Sequence, residues 1–224
     1  SLHLQDFPNI VPLFFIKIAS FLMRSYIVRY MYSIITGGNL TMNSTTTNDN
    51  LKKMVTAALL AALTCAATMS VRIPTLGTGG YIHPGDALVI LCGIILGPSW
   101  GFLAGGIGSA LADLLGGYFI YVPITLAIKG LVALSSGILY QHMGKYFKSH
   151  YPSVILGGIA DIILVAGGYF LCESIMYGVA GASASVPANL IQGAGGLVIA
   201  CILYPLIRSI PGILQLNHKA AAHS

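Results

Sequence analysis

The stretch ALVILCGIILGPSWGFLAGGIGSALADLLGG, residues 87–117, contains two apolar runs around one Gly-Pro turn, and its only charged residue is Asp113. Similar runs recur along most of the chain. Of its 224 residues, 56% are hydrophobic and 8% are charged, whereas a soluble domain carries roughly 25% charged residues. A soluble fold of this length could not hide so much apolar surface. The sequence therefore predicts a protein that crosses a membrane several times as helices, without a second, soluble domain.

Six apolar runs follow one another, separated by segments rich in Gly, Pro or polar residues. A membrane helix needs roughly 20 residues, so the second run must be tilted, bent or shielded by its neighbours. These runs predict an all-α integral membrane protein, a six-helix transmembrane bundle with one short helix. Their bounds are about 53–71, 87–96, 100–117, 120–140, 152–173 and 186–207. Between the last two runs, the small residues 178–185 predict a flexible loop.

The net charge of +5 reflects basic residues at the ends of apolar runs rather than on one periodic face. This placement indicates membrane topology and not nucleic-acid binding. With six spans, only Arg72 falls on one side of the membrane, so both ends of the core are expected in the cytoplasm. The basic residues on the other side are Lys52, Lys53, Lys145, Lys148, Arg208 and Lys219.

The chain divides into three predicted parts. Residues 1–50 form an N-terminal extension, residues 51–210 the six-helix domain, and residues 211–224 a cytoplasmic tail. Because position 1 is Ser and Met42 is suited to be a natural start, residues 1–41 are expected to be an upstream or expression-derived segment. The alternative is an additional interfacial or spanning helix.

Polar side chains gather towards one end of the predicted helices. At about 1.5 Å per residue they fall in the outer half of the membrane, and only Asp161 lies deeper. A charge near the bilayer centre costs at least ~2.5–3.5 kcal/mol, so these groups should face the bundle and pair. Asp113 and Lys129 are the expected pair by depth, either as a structural ion pair or within a pocket. The outer residues are Asp86, Asp113, Lys129, Glu173, Asn189 and Gln192, with Tyr81, Tyr118, Tyr121 and Tyr177 on the same side.

Several of these residues have a structural alternative. Asp86 and His83 are expected at the outer mouth of the second helix, where Asp86 could serve as its N-cap and His83 as an ordinary loop residue. Asn189 and Gln192, three residues apart, share one helix face, and buried amides there need partners. The tyrosines could instead form an interfacial belt.

The inner half is apolar and rich in small residues. Ala58, Ala62 and Ala66 repeat at four-residue spacing on the first helix, which favours close approach of a partner helix. The glycines at 97, 101 and 105 have the same spacing, and internal packing is the expected role for them. No motif of a hydrolase, metalloprotease or nucleotide-binding loop is present in the sequence, so an enzyme is not predicted.

As a set, five short segments resemble the substrate-specific S component of energy-coupling factor (ECF) vitamin transporters, in the subgroup for pantothenate, hydroxymethylpyrimidine or pyridoxine. The resemblance covers roughly residues 51–210. The segments are YIHPGD (81–86), GP (97–98), GGIGSALAD (105–113), TLAIKG (125–130) and PANLIQG (187–193).

This resemblance implies a multi-pass protein of the bacterial plasma membrane that binds a vitamin from outside. It implies docking on a transmembrane coupling subunit with two ATP-binding cassette ATPases, which use the ATP, so the chain itself needs no cofactor. Ala58, Ala62 and Ala66 would form the docking surface, although Ala57 and Ala61 also fit the spacing. The first loop, residues 73–86, would be an extracellular lid.

The cargo depends on Lys129. A free ammonium would favour a carboxylate such as pantothenate, and a paired one a neutral heteroaromatic. Riboflavin and thiamine are less favoured, because the single Trp100 lies at the inner end. A solitary secondary transporter is the alternative function, although no inverted repeat is visible. The candidate substrate-binding residues are Tyr81, His83, Asp86, Tyr121, Lys129, Glu173, Asn189 and Gln192.

Overall fold

A computed structural model describes residues 46–143, 146, 150–214 and 216–217. The predictions for residues 1–41, Lys145, Lys148 and Lys219 lie outside these residues. Contacts divide the chain into two compact units, Ser1–Asn48 and Asp49–Ser224. The elements and the site described below belong to the second unit, apart from the first turn of the first helix.

The regular elements of the described residues are helices and one very short hairpin. Three helices are long and apolar enough to cross a membrane, namely α1 from Lys52 onwards, α4 and α5. The prediction of a helical membrane protein with one short apolar helix, α2, agrees with this. In chain order the elements are α1 (Thr46–Ser70), β1 (Ile73–Pro74), β2 (Tyr81–Ile82), α2 (Asp86–Leu96), α3 (Pro98–Gly116), α4 (Tyr121–Met143) and α5 (Tyr151–Arg208).

The last helical element differs from the prediction. The sequence predicted a flexible loop over residues 178–185, but only Gly178 leaves the helical conformation, with φ 80° and ψ 160°. That φ favours glycine, and the small residues that follow resume the helix because alanine is the best helix former. We call residues 151–177 the first arm of α5 and residues 179–208 its second arm. The arms run back alongside each other, since a Cβ at Gly193 would lie 2.8 Å from Ile162 Cα.

Helix α2 lies at the centre of the bundle. Ten of its eleven residues are buried, and it contacts α3, α4 and α5. Glycines allow this close packing, because a Cβ at Gly101 would lie 2.6 Å from Gly93 Cα and one at Gly105 3.1 Å from Ala133 Cβ. Internal packing is therefore the role of these predicted small-residue positions in the structure.

The β1–β2 hairpin lies at the end of the bundle where α4 begins, which we call the hairpin end. Its strands pair Ile73 with Ile82 and Pro74 with Tyr81. At its tip, a Cβ on Gly77 would lie 2.8 Å from Gly181 O and from Ala184 Cβ, so the tip packs against the second arm of α5. The segment between β2 and α2 then enters the bundle.

Candidate ligand-binding site

Tyr81 fixes the hairpin to α3. Its hydroxyl donates to Asp113 Oδ1 at 2.6 Å, and the Arg72 guanidinium lies 5.0 Å from the centre of its ring. Arg72 also donates to the Ala112 carbonyl at 3.0 Å, and the ring of Tyr118 lies 4.6 Å from that of Tyr81. Burial, together with the neighbouring Asp113 carboxyl, raises the pKa of the Tyr81 hydroxyl, so this group stays a hydrogen-bond donor.

His83 follows the hairpin as a neutral ring. Its backbone N–H donates to Gln192 Oε1 at 3.0 Å, and the Gly85 N–H donates to its Nδ1 at 3.1 Å. Burial lowers the pKa of His83 to about 4, helped by the positive charges of Lys129 and Arg72 and opposed by Asp86. With Nδ1 accepting a bond, the proton of the neutral ring is on Nε2.

Asp86 and Lys129 form the buried ion pair of the site. Lys129 Nζ donates to Asp86 Oδ1 at 2.5 Å, Gln192 Nε2 donates to Asp86 Oδ2 at 2.8 Å, and both charged side chains are fully buried. Asp86 does not act as a capping side chain, because Gly85 is the N-cap of α2 and no side-chain cap bond is present there. The carboxylate of Asp86 thus accepts hydrogen bonds from both Lys129 and Gln192.

The predicted pairing of Asp113 with Lys129 was wrong, and helix register explains why. A Cβ at Gly106 would lie 3.3 Å from Gly130 Cα, so Lys129 lies near the level of Gly106. Asp113 is seven residues further along α3, which is about 10 Å at the helical rise. Instead, the segment between β2 and α2 extends into the bundle and places Asp86 beside Lys129. Asp86 therefore does not lie at the mouth of the bundle, where it was expected.

Glu173 connects three helical segments beside the hairpin. Tyr121 Oη donates to Glu173 Oε1 at 3.0 Å, and Ser185 Oγ donates to Glu173 Oε2 at 2.5 Å. Nearby, Thr125 and Tyr169 share a hydrogen bond of 2.9 Å between their hydroxyls. These bonds hold the start of α4 and both arms of α5 around one carboxyl group.

These elements enclose a polar cavity of about 20 Å³, which is the space of roughly one water molecule. Of the predicted binding residues, five line this cavity, whereas Asp86, Lys129 and Gln192 form the network beside it. The lining residues are Thr75, Gly80, Tyr81, His83, Asp113, Tyr121, Thr125, Tyr169, Glu173 and Asn189.

Asn189 supplies an unused donor to the cavity. Its side chain is 5% exposed, and Nδ2 has no hydrogen-bond partner among the described residues. A buried donor without a partner costs about 1–3 kcal/mol. A ligand with an acceptor atom at this position would remove that cost, so Asn189 is well placed for recognition.

Several residues around the cavity are not among those predicted from the sequence. Tyr169 lies four residues before Glu173, and Thr125 four residues after Tyr121, so each shares a helix face with a predicted residue. This spacing could have identified them. Thr75 and Gly80 belong to the hairpin, whose inward position has no signal in the sequence. Ser185 falls in the segment 178–185, which the sequence predicts to be a loop.

The alanine stripe of α1 does not pack into the bundle. Ala58 and Ala62 are exposed and Ala66 is half-buried. Ala57 is buried instead. The backbone of Ala61 packs against Gly108, because a Cβ at Gly108 would lie 3.0 Å from Ala61 Cα. The register that contains Ala58 and Ala62 is therefore the one open to a partner.

Comparison with known proteins gives consistent matches. The family described as ECF-type riboflavin transporter, S component, matches residues 48–209. An uncharacterized protein encoded in a gap 3′ region of Pyrococcus woesei is 35% identical over 149 residues, which are 66% of this chain and 97% of that protein. The thiamine precursor transporter HmpT of Lactococcus lactis subsp. cremoris (strain MG1363) is 28% identical over 174 residues, covering 77% of this chain and 97% of HmpT.

The fold has a counterpart among solved structures. The S component of a bacterial ECF transporter superposes with a TM-score of 0.52 at 20% sequence identity, covering 71% of this chain and 96% of that one. At this identity the match supports the fold alone.

Proposed function

The chain belongs to the family of ECF-type riboflavin transporter S components, which are transporter subunits and not enzymes, and on this premise we propose that it captures a vitamin precursor for an ATP-driven importer. The observation that carries the proposal is the polar cavity between the hairpin and helices α3, α4 and α5. Its lining combines aromatic rings with fixed donors and acceptors, as small-molecule sites do.

The charges around the cavity favour a particular ligand chemistry. Asp113 and Glu173 line it, whereas Lys129 does not, and its ammonium is bonded to Asp86. A ligand carboxylate would meet two carboxyl groups and no available lysine, which disfavours pantothenate. A heteroaromatic ring with an amino group would donate to a carboxyl, accept from Asn189 Nδ2 and stack on tyrosine. We therefore place hydroxymethylpyrimidine first and pyridoxine second, in keeping with the name of the Lactococcus relative.

The size of the cavity supports a moving lid. Ligand pockets commonly measure about 300–1,000 Å³, against about 20 Å³ here. Binding a vitamin precursor therefore requires the hairpin to move away from α3 and α5. Few polar contacts hold it, notably Tyr81 with Asp113 and the His83 backbone with Gln192. We assign residues 73–86 as the lid over the site.

The exposed stripe Ala58–Ala62 is the proposed docking surface for a transmembrane coupling subunit. Small side chains on a lipid-facing helix let another helix approach closely. That subunit, with two ATP-binding cassette ATPases, would supply the energy, and this chain would hold the ligand. Counting the two arms of α5 separately gives six helical segments, and the positions of Lys52, Lys53 and Arg208 then favour the cytoplasmic side of the plasma membrane for both ends of the core.

Mass spectrometry of the small molecule that co-purifies with the protein tests the ligand directly. We expect hydroxymethylpyrimidine. Calorimetry should then give affinities that decrease in the order hydroxymethylpyrimidine, pyridoxine, pantothenate, and riboflavin is an additional test ligand. Uptake into vesicles should require the coupling subunit and both ATPases. Uptake by this chain alone, without ATP, would support a secondary transporter instead.

A further inference from the structure

Asp161 is a fully buried carboxyl group that the proposed binding site does not use. Neither of its oxygens has a hydrogen-bond partner among the described residues, and it is not part of the cavity lining. An unpartnered carboxyl group inside a membrane protein is costly as an anion, and such groups commonly mark functional positions. Its surroundings therefore indicate what it does.

Asp161 faces the buried ion pair across one glycine. A Cβ at Gly196 would lie 3.3 Å from Asp161 Oδ2 and 2.7 Å from Asp86 Cβ, so both residues pack against this glycine. The charged groups that act on Asp161 are Asp86 on α2 and Lys129 on α4. The cluster thus contains two carboxyl groups and one ammonium.

The level of Asp161 follows from contacts between α4 and the first arm of α5. A Cβ at Gly157 would lie 3.1 Å from Ser136 Oγ, and one at Gly168 2.9 Å from Ile128 Cδ1. Asp161 therefore lies about one helical turn further from the hairpin end than Lys129. A lysine side chain with four flexible methylene groups can change partner over such a distance.

We propose that Asp161 is a second counter-ion for Lys129, so that the ammonium pairs with Asp86 in one state and with Asp161 in another. In the state described here, Asp86 is the anion and Asp161 keeps its proton. In the other state that proton is on Asp86, and Asp161 is the anion. Each state contains one positive and one negative charge, so the buried cluster stays neutral during the exchange.

The exchange would act on the hairpin through Gln192. With Asp86 as an anion, its bond from Gln192 Nε2 is charge-assisted, and Gln192 Oε1 is held against the His83 N–H. A neutral Asp86 accepts a weaker bond, so Gln192 is held less firmly and the hairpin is released. Asp161 is thus a positioning residue that stabilises the released hairpin, whichever ligand is bound.

Infrared spectroscopy of the purified protein, with no ligand added, tests the exchange. The carbonyl stretch of a protonated carboxyl group should be present in the wild type and be lost in Asp161→Asn. It should also be lost in Asp86→Asn, because Lys129 then pairs with ionised Asp161. In the control Asp86→Asn/Lys129→Met the band should return, since no cation remains. A band from Asp161 that persists in Asp86→Asn would overturn the proposal.

A thermodynamic cycle gives a second readout that also needs no ligand. Asp86→Asn and Asp161→Asn each leave one carboxylate for Lys129, so each single variant should keep most of its folded protein. The double variant leaves Lys129 buried without a counter-ion. Its free energy of unfolding should fall by far more than the sum of the decreases in the two single variants. Adding Lys129→Met should restore it. Additive losses would mean that Asp161 has only a packing role.

Discussion

The backbone N–H of His83 donates to Gln192 Oε1 at 3.0 Å, which joins the loop after the hairpin to the second arm of α5. The other end of the same amide donates to Asp86, the partner of Lys129. One side chain therefore connects the proposed lid segment to the buried ion pair. Closure over the cavity and the charge state of the core should be coupled through it.

Replacing Gln192 with Leu should weaken ligand binding. The variant leaves the His83 N–H without its acceptor and Asp86 without one donor, and each lost bond costs about 1–3 kcal/mol. Calorimetry with hydroxymethylpyrimidine measures the change. Ile191→Leu, on the adjacent and 66% exposed side chain, is the control and should bind as the wild type does. Unchanged affinity in Gln192→Leu would remove Gln192 from the closure mechanism.

Replacing Lys129 with Met should destabilise the fold by about 3–5 kcal/mol, because it leaves buried Asp86 without its cation. The double variant Lys129→Met/Asp86→Asn removes both charges and should recover most of the loss. Thermal unfolding in detergent compares the variants. Equal stability of Lys129→Met and the wild type would show that the 2.5 Å pair contributes little to folding.

Gly85→Ala should disturb the base of the proposed lid. A Cβ at this position would lie 2.8 Å from His83 Nδ1 and would also collide with Thr68 Oγ1. Overpacking of this kind costs about 1–3 kcal/mol, and here it should reduce ligand affinity. Gly195→Ala is the matched control, since nothing lies within 4 Å of a Cβ there. If both variants bind equally well, the loop adapts without cost.

Ala58→Leu and Ala62→Leu should leave ligand binding unchanged and abolish ATP-driven uptake, because both side chains are exposed on the proposed docking surface. Val198→Leu, at a 57% exposed position on α5, should affect neither. Binding and uptake are measured on the same preparations. Normal uptake by both alanine variants would place the coupling subunit on another face.

Acidification should destabilise the folded protein through His83. Its pKa falls from 6.5 to about 4 on folding. Between these two pH values, His83 is mostly protonated in the unfolded chain and mostly neutral in the folded protein. The stability contributed by neutral His83 is complete above pH 6.5 and is lost as the pH falls towards 4. The thermal midpoint of the wild type should therefore drop more between pH 7 and 4.5 than that of His83→Gln. Parallel curves would exclude this contribution.

Composition and periodicity were sufficient to predict the helical membrane class, the short second helix and the shared face of Asn189 and Gln192. Those properties depend on local spacing, which a sequence displays directly. The partner of Lys129 was not predictable in the same way. It depends on how far the loop before α2 enters the bundle, and turn residues give no measure of that depth.

The helical conformation of residues 179–185 in α5 was not predictable for a different reason. Residues 178–185 are small, and small residues suit both loops and tightly packed helices. Only the backbone shows that Gly178 alone makes the turn. Tyr169 was overlooked because it lies in an apolar run, where a tyrosine is ordinarily a packing residue. Its hydrogen bond with Thr125 connects two helices and cannot be inferred from either one.

The shortness of α2 has a consequence for permeation. Its eleven residues span about 16 Å, little more than half of a hydrocarbon layer of about 30 Å. In a bundle that spans the layer, the polar hairpin and its network would occupy the remaining depth. A solute held beside Asp86 would therefore have only a thin apolar barrier below it. Much of the dehydration cost of crossing would already be met by binding, so any energy supplied to transport would be needed mainly to expose the solute on the other side.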